Sequence, residues 1–399
     1  MLDKAKSLFP ELIRLRRDIH RHPELSFQEV RTAKLVADTL QEIGGISIKT
    51  GIGKTGVIGE LSSGDGPTIA IRADMDALPI IETTGAEYTS THNGVMHACG
   101  HDAHTAILLG VAHLLKDSFA QDNLKGTVRF LFQPSEENCD SEGLSGAPRM
   151  IEDGAMEGVD AVIALHVEST SPSGQVRIAG GWSSAAVDSF EAWITGTGGH
   201  GAYPHEAIDP LWLLGPVLTA LHGIVARRIN PMKPAVMSLG QIHGGTASNV
   251  IPPEVYIQGT LRSFDPDVRQ ALLDEVERAL SIVRPLGGDY RLEVWHGYPA
   301  GWNDPAVSGW FKDVAGDLVG ADQVIEESMG MGAEDFAYMC QEAPGAMFLL
   351  GAALPDGIER AHHTNIFDID ENVLPVGVAV LAETTRRFLK GNLKLTGTN

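Results

Sequence analysis

The segment Met96-His-Ala-Cys-Gly-His-Asp-Ala-His104 is the densest group of potential metal donors in the chain. A thiolate at Cys99 and an imidazole at His101, separated by one residue on a loop, can both turn toward one cation. Both are borderline-soft donors suited to Zn, Mn, Co or Ni. Taken alone, such a pair is more often a small buried hydrophobe beside loop imidazoles. Further donors change that balance. The apolar run Thr127-Val-Arg-Phe-Leu-Phe-Gln133 leads straight into Pro134-Ser-Glu-Glu137. Adjacent carboxylates at a strand end can point in different directions, so that one binds a cation while its neighbour holds a water within proton-transfer reach. The next run ends in Ala164-Leu-His-Val167, and Ala361-His-His-Thr-Asn365 adds His362 and His363, either of which completes a donor set.

The elements that must carry these residues follow from periodicity. Thr68–Asp74, Thr127–Gln133 and Asp160–His166 are short, apolar and rich in β-branched or aromatic residues, as strands buried on both faces are. Ile107, Leu108, Val111, Leu114 and Leu115 recur at helical spacing after Asp102, a candidate N-cap. Active sites of α/β sheets collect at the carboxyl ends of parallel strands, where Glu136, Glu137 and His166 fall. From 187 to 297 the order becomes strand, helix, strand, strand, helix, strand. That βαββαβ order is the ferredoxin-like unit, a four-stranded antiparallel sheet with two helices on one face. The expected organisation is therefore a mixed α/β catalytic domain formed by residues 1–186 and 298–399 around a central sheet, with a ferredoxin-like lid or dimerisation domain inserted at 187–297.

Composition narrows the function. The 399 residues are 43% hydrophobic and 21% charged, which is globular composition. A net charge of −22 repels phosphate backbones and anionic membrane surfaces, so neither nucleic acid nor membrane is an expected partner. The longest apolar runs are too short to span a bilayer, and the charged amino terminus shows no export signal. Three scattered cysteines suit a reducing compartment, and the expected location is the cytoplasm.

Seven blocks in order, Arg72-Ala-Asp-Met-Asp-Ala-Leu78, the Met96–His104 segment, Phe132-Gln-Pro-Ser-Glu-Glu137, Leu165-His166, Gly198-Gly-His-Gly-Ala202, Asn249-Val-Ile-Pro252 and Gly332-Ala-Glu-Asp-Phe336, resemble the M20 metallopeptidase family. The resemblance is to its amidohydrolase branch, which holds hippurate hydrolases, N-acyl-amino-acid deacylases and auxin-conjugate hydrolases.

That resemblance implies two divalent metal ions per subunit held by Cys99, His101, Glu137, His166 and His363. It implies Glu136 as general base and Asp76 as an aspartate that orients a ligand imidazole. His363 is preferred to His362 because it lies four residues before Phe367, as in the family's terminal motif. His200, Asn249 and Arg262 are implied to line the substrate site, Arg262 as a bidentate clamp for a carboxylate. His97, His104, His205 and His243 receive no role, and Glu334 and Asp335 are expected to support the site. The implied substrate is a small N-acyl or N-aroyl amino acid, and the implied assembly is a homodimer or higher homo-oligomer through the lid. The competing functions are a metallo-dipeptidase or carboxypeptidase of the same fold, and a silent metal-loaded binding protein. Where relatives carry a short run of glycines after Glu137, this chain has the polar stretch Asn138–Gly146, which adjoins an expected ligand and unsettles transfer of substrate preference.

Overall fold

The computed structural model describes residues 1–395. The chain forms two compact units: one comprises Met1–Ser183, Trp302–Met329 and the residues from Asp335 onward, the other Ser184–Gly301 with Gly330–Glu334.

The first unit is built on an eight-stranded mixed sheet in the order Ser47–Ile52, Gly56–Ser63, Gly126–Gln133, Thr68–Asp74, Ala161–Glu168, Gly345–Gly351, Val176–Arg177, Val324–Ile325. The four strands from Gly126–Gln133 through Gly345–Gly351 run parallel. Alternate residues feed two cores. Ile69, Ile71, Ile163, Leu165, Phe348 and Leu350 pack on one face, and Ala70, Val162, Ala164 and Met347 on the other. Both faces being covered explains the near-continuous apolar runs.

Helix His101–Asp122 lies on the larger core, with 16 of its 22 residues buried. It packs against helices Phe9–Arg21 and Leu374–Leu389. Gly110 permits this close approach, because a Cβ there would meet Leu12 at 2.7 Å and Val378 at 2.9 Å. The helix does not begin as the sequence suggested. Its N-cap is Gly100 in the left-handed region at φ 92°, and no side chain caps it. The Asp102 carboxylate instead lies 2.7 Å from His20 Nδ1 and 2.8 Å from Arg16 Nε. A buried cation outcompetes a neutral backbone N–H for that carboxylate.

The second unit has a four-stranded antiparallel sheet in the order Ala235–Gly244, Glu254–Ser263, Ala186–Thr195, Asp289–His296. Helices Pro210–Arg227 and Pro266–Leu280 supply Leu213, Leu221, Leu272 and Val276 to one core with Phe190, Ile194, Val255 and Ile257. This is the ferredoxin-like arrangement. Asp209 and Asp265 cap the two helices, each followed by Pro at the first helical position. Pro210–Arg227, 18 residues long with mean hydropathy 1.2, is apolar enough by length and composition to cross a membrane. Here its buried side packs on the sheet of its own unit.

Candidate metal centre

Asp74 ends its strand, and the chain continues into a loop in which Asp76 is 1% exposed. Asp76 organises its surroundings. Its Oδ1 lies 3.1 Å from His101 Nδ1 and accepts the Glu136 backbone N–H at 3.1 Å. Its Oδ2 accepts the Glu137 N–H at 3.0 Å and the Ser26 hydroxyl at 2.7 Å. Burial opposes ionisation of Asp76, but these donors, His101 foremost, outweigh it and hold the carboxyl below its ordinary value. One anion thus positions the start of the His101–Asp122 helix and the two glutamates after the Gly126–Gln133 strand.

The expected donors of the first unit converge. Cys99 Sγ is 3.5 Å from His166 Nε2 and 3.6 Å from His362 Nδ1. Glu137 Oε1 is 3.0 Å from His363 Nε2 and 3.9 Å from His101 Nε2. Donor atoms of His101, Glu136 and Glu137 lie within 4.8 Å of one another, as do those of Cys99, Glu137 and His363. Two backbone positions here are unusual for side-chain-bearing residues: Ser135 at φ 46° and His363 at φ 61°. Surrounding contacts must hold such conformations, and here the Ser135 N–H donates to Glu29 at 2.8 Å and the His363 N–H to the Ala98 carbonyl at 2.8 Å.

The residues fit a divalent cation. His101 Nδ1 faces the Asp76 carbonyl oxygen at 2.9 Å, while its Nε2 is buried without a hydrogen bond. His166 Nδ1 donates to the Val167 carbonyl at 2.7 Å and leaves Nε2 toward Cys99. Metal-binding imidazoles are held in this way, one nitrogen spent on an oxygen and the other free. Burial disfavours a charged His101, yet Asp74, Asp76 and Glu137 overcome it and push the imidazole up to about 10. The site therefore calls for positive charge. Burial, with Glu137, Glu136 and Asp74 nearby, pushes the Cys99 thiol well above its ordinary range, so a thiolate there requires a cation.

A supporting layer escaped the sequence reading. His104 Nδ1 lies 2.6 Å from Asp74 Oδ1, and its Nε2 accepts the Val167 N–H at 2.9 Å, which fixes the strand next to His166. Arg72 bridges Asp74 at 2.6 Å and Asp335 at 2.9 Å. Asp335 also accepts from Gln133, Ser145 and the Ala147 N–H. The Arg72-Ala-Asp74 alternation was the available signal, since residues two apart share a strand face.

The remaining candidates belong to the second unit. His200 pairs with Val250 in a two-stranded ladder, and the Asn249 carbonyl accepts the Gly201 N–H at 2.8 Å. Arg262 stands on the sheet face away from the helices, with Nη1 2.6 Å from Thr260 Oγ1. Burial lowers its pKa, and among the described residues it forms no salt bridge.

Fold and donor set together define a metal-dependent hydrolase. The profile of Peptidase family M20/M25/M40 matches residues 70–387, and the chain belongs to that family. It is 41% identical to the N-acetyl-L-cysteine deacetylase of Bacillus subtilis, over 97% of this chain and 90% of the relative. It is likewise 41% identical to thermostable carboxypeptidase 1 of Saccharolobus solfataricus, over 94% and 95% of the two chains. A crystal structure of a dinuclear metal binding peptidase of the M20 family from Bacillus subtilis superposes with a TM-score of 0.82 at 36% identity, covering 96% of this chain and 99% of that one. Within the family the protein falls in the amidohydrolase branch.

Proposed function

We propose that the protein hydrolyses the amide bond of N-acyl or N-aroyl amino acids to a carboxylate and a free amino acid, using two divalent cations held by Cys99, His101, Glu137, His166 and His363. The carrying observation is that Asp76 orients His101 and, through adjacent backbone N–H groups, both Glu136 and Glu137. A deacetylase and a dinuclear peptidase among the relatives support the reading.

Cations bound there supply Lewis acidity, lowering the pKa of water and polarising a carbonyl. Glu136, 6% exposed, accepts the proton of the attacking water and returns it to the leaving nitrogen. It is therefore kept out of the ligand set. A silent binding protein would have no use for that carboxylate. Arg262, a half-buried cation that forms no salt bridge among the described residues, takes the free carboxylate of the substrate amino acid. His200 and Asn249 complete the substrate contacts with side-chain donors.

The second unit is also the proposed dimerisation unit. Leu211 and Trp212 are 44% and 60% exposed on helix Pro210–Arg227, and the strand Ala235–Gly244 lies at the edge of its sheet. An apolar outer helix face and an open edge are both covered by a second copy. Sedimentation equilibrium reads this directly. Three cysteines scattered through 399 residues support a cytoplasmic location.

The test is hydrolysis of N-acetyl, N-benzoyl and longer N-acyl amino acids, together with dipeptides, by chelated protein before and after adding Mn, Zn, Co or Ni. Metal-restored cleavage of the acyl panel is expected. Cleavage of dipeptides alone overturns the acyl preference, and no cleavage with any metal overturns the hydrolase assignment.

A further inference from the structure

The two consecutive histidines near the carboxyl end serve different neighbours. His363, in the left-handed region, directs Nε2 to Glu137 at 3.0 Å. His362 places Nδ1 3.6 Å from Cys99 Sγ, with its ring centroid 5.2 Å from that of His166 and 5.1 Å from that of Phe367. Its other nitrogen, Nε2, is buried and lies 3.6 Å from Glu168 Oε1.

His362 shares with His166 a ring nitrogen turned toward Cys99 Sγ at ligand spacing. His101 and His166 each commit one ring nitrogen to an oxygen and leave the second toward the cluster. His362 turns Nδ1 toward the sulfur in the same way, while its Nε2, buried without a hydrogen bond, faces Glu168 Oε1 at 3.6 Å. Distances agree. A metal–sulfur bond of about 2.3 Å and a metal–nitrogen bond of about 2.0–2.1 Å at a tetrahedral angle separate the two donor atoms by about 3.5 Å. Cys99 Sγ stands 3.5 Å from His166 Nε2 and 3.6 Å from His362 Nδ1, and the donor atoms of all three lie within 4.8 Å of one another.

We infer that His362 is a sixth protein donor to the metal centre, binding through Nδ1 on the side of Cys99 and His166, with Glu168 fixing its tautomer and ring plane. The inference rests on the metal-hydrolase reading above and adds a ligand to it. It also gives a chemical purpose to the doublet: one histidine for the sulfur side, the other for the carboxylate side.

The experiment is titration of metal-free protein with Co(II) and Zn(II) in competition with a chelator, with the Co(II) absorption spectrum recorded at each step. Wild-type protein should bind two ions. His362→Ala should bind one of them at least about tenfold to a hundredfold more weakly, with a shifted thiolate-to-cobalt band, while the melting temperature of the metal-free form holds. Glu168→Gln should weaken the same ion to a smaller degree. Should His362→Ala not fold, His362→Gln carries the same expectation. Wild-type affinity and an unchanged cobalt spectrum in the folded variant would overturn the sixth donor and leave the hydrolase reading standing. Failure of wild-type protein to bind any ion would overturn that reading and this inference with it.

Discussion

Asp76 and His101 are joined twice, the His101 Nδ1 facing both the Asp76 carbonyl oxygen at 2.9 Å and its carboxylate at 3.1 Å. Because the same carboxylate accepts the backbone N–H groups of Glu136 and Glu137, the proposed ligand His101, the proposed base Glu136 and the loop that carries it share one anchor. Asp76→Asn presents an amide N–H₂ to at least one of those donors and cannot satisfy all of them. Metal affinity should fall by about 10–100-fold, measured by chelator competition. Affinity equal to wild type would remove Asp76 from the site.

Glu136→Gln should keep its full metal content while kcat falls by about 10²–10⁴-fold, the usual contribution of a positioned acid–base group. Metal analysis and steady-state kinetics on the same preparation separate this from a ligand loss. Surviving activity would require a different base.

Arg262→Ala removes a charged hydrogen-bond partner, which contributes about 1.5–3 kcal/mol. KM for carboxylate-bearing substrates should rise by about one to two orders of magnitude, with C-terminally amidated analogues unaffected. Equal losses on both series would exclude the clamp.

Glu29 links the site to pH. It accepts the backbone N–H groups of Phe27 and Ser135 and the Thr55 hydroxyl. Burial and the neighbouring Asp76 carboxylate raise its pKa from 4.5 to about 7. Between those values the folded state binds more protons than the unfolded state, so stability falls as pH rises from about 4.5 to about 7 and the loss levels off above that. At 1.36 kcal/mol per unit this amounts to about 3 kcal/mol. Glu29→Gln mimics the protonated form and should remove that slope from urea-denaturation midpoints measured across the window. A slope unchanged in the variant would assign it elsewhere.

Arg16, fully buried, contacts Asp102 at 2.8 Å, Asp368 at 3.2 Å and Glu371 at 3.3 Å, and lies 4.5 Å over the Tyr88 ring. Arg16→Met strands the fully buried Asp102 carboxylate beside His20. A loss of about 3–5 kcal/mol is expected in denaturant melts of the metal-free protein. A loss below about 1 kcal/mol would mean that His20 alone compensates Asp102.

Much of this was legible because the relevant residues sit where a simple period places them. The strands carrying Glu136, Glu137 and His166 announce themselves as short apolar runs, and the ferredoxin-like order follows from six patterned segments. What was not legible depends on contacts between distant segments. Asp102 looks like an N-cap by position, but Arg16 and His20 from another helix claim it. His104 sits in the donor-rich segment, where position alone gave it no role, and both of its nitrogens are engaged by Asp74 and Val167. Glu29 carries no motif, and its importance comes from reaching Ser135 across the fold. The Asp76 hub could be inferred only from resemblance, since no local pattern reveals where a loop carboxylate points.

The first unit is interrupted in sequence by the second and resumes at Trp302, so His362 and His363 are synthesised only after the whole of the second unit. Arg16 and Glu371, which meet across the same region, are 355 positions apart. A nascent chain therefore emerges with Cys99, His101, Glu137 and His166 already exposed but without the segment that closes around them. On the proposed ligand set, the centre cannot be completed before residue 363 has been made, and a chain ending before residue 362 leaves an open set of thiol and imidazole donors.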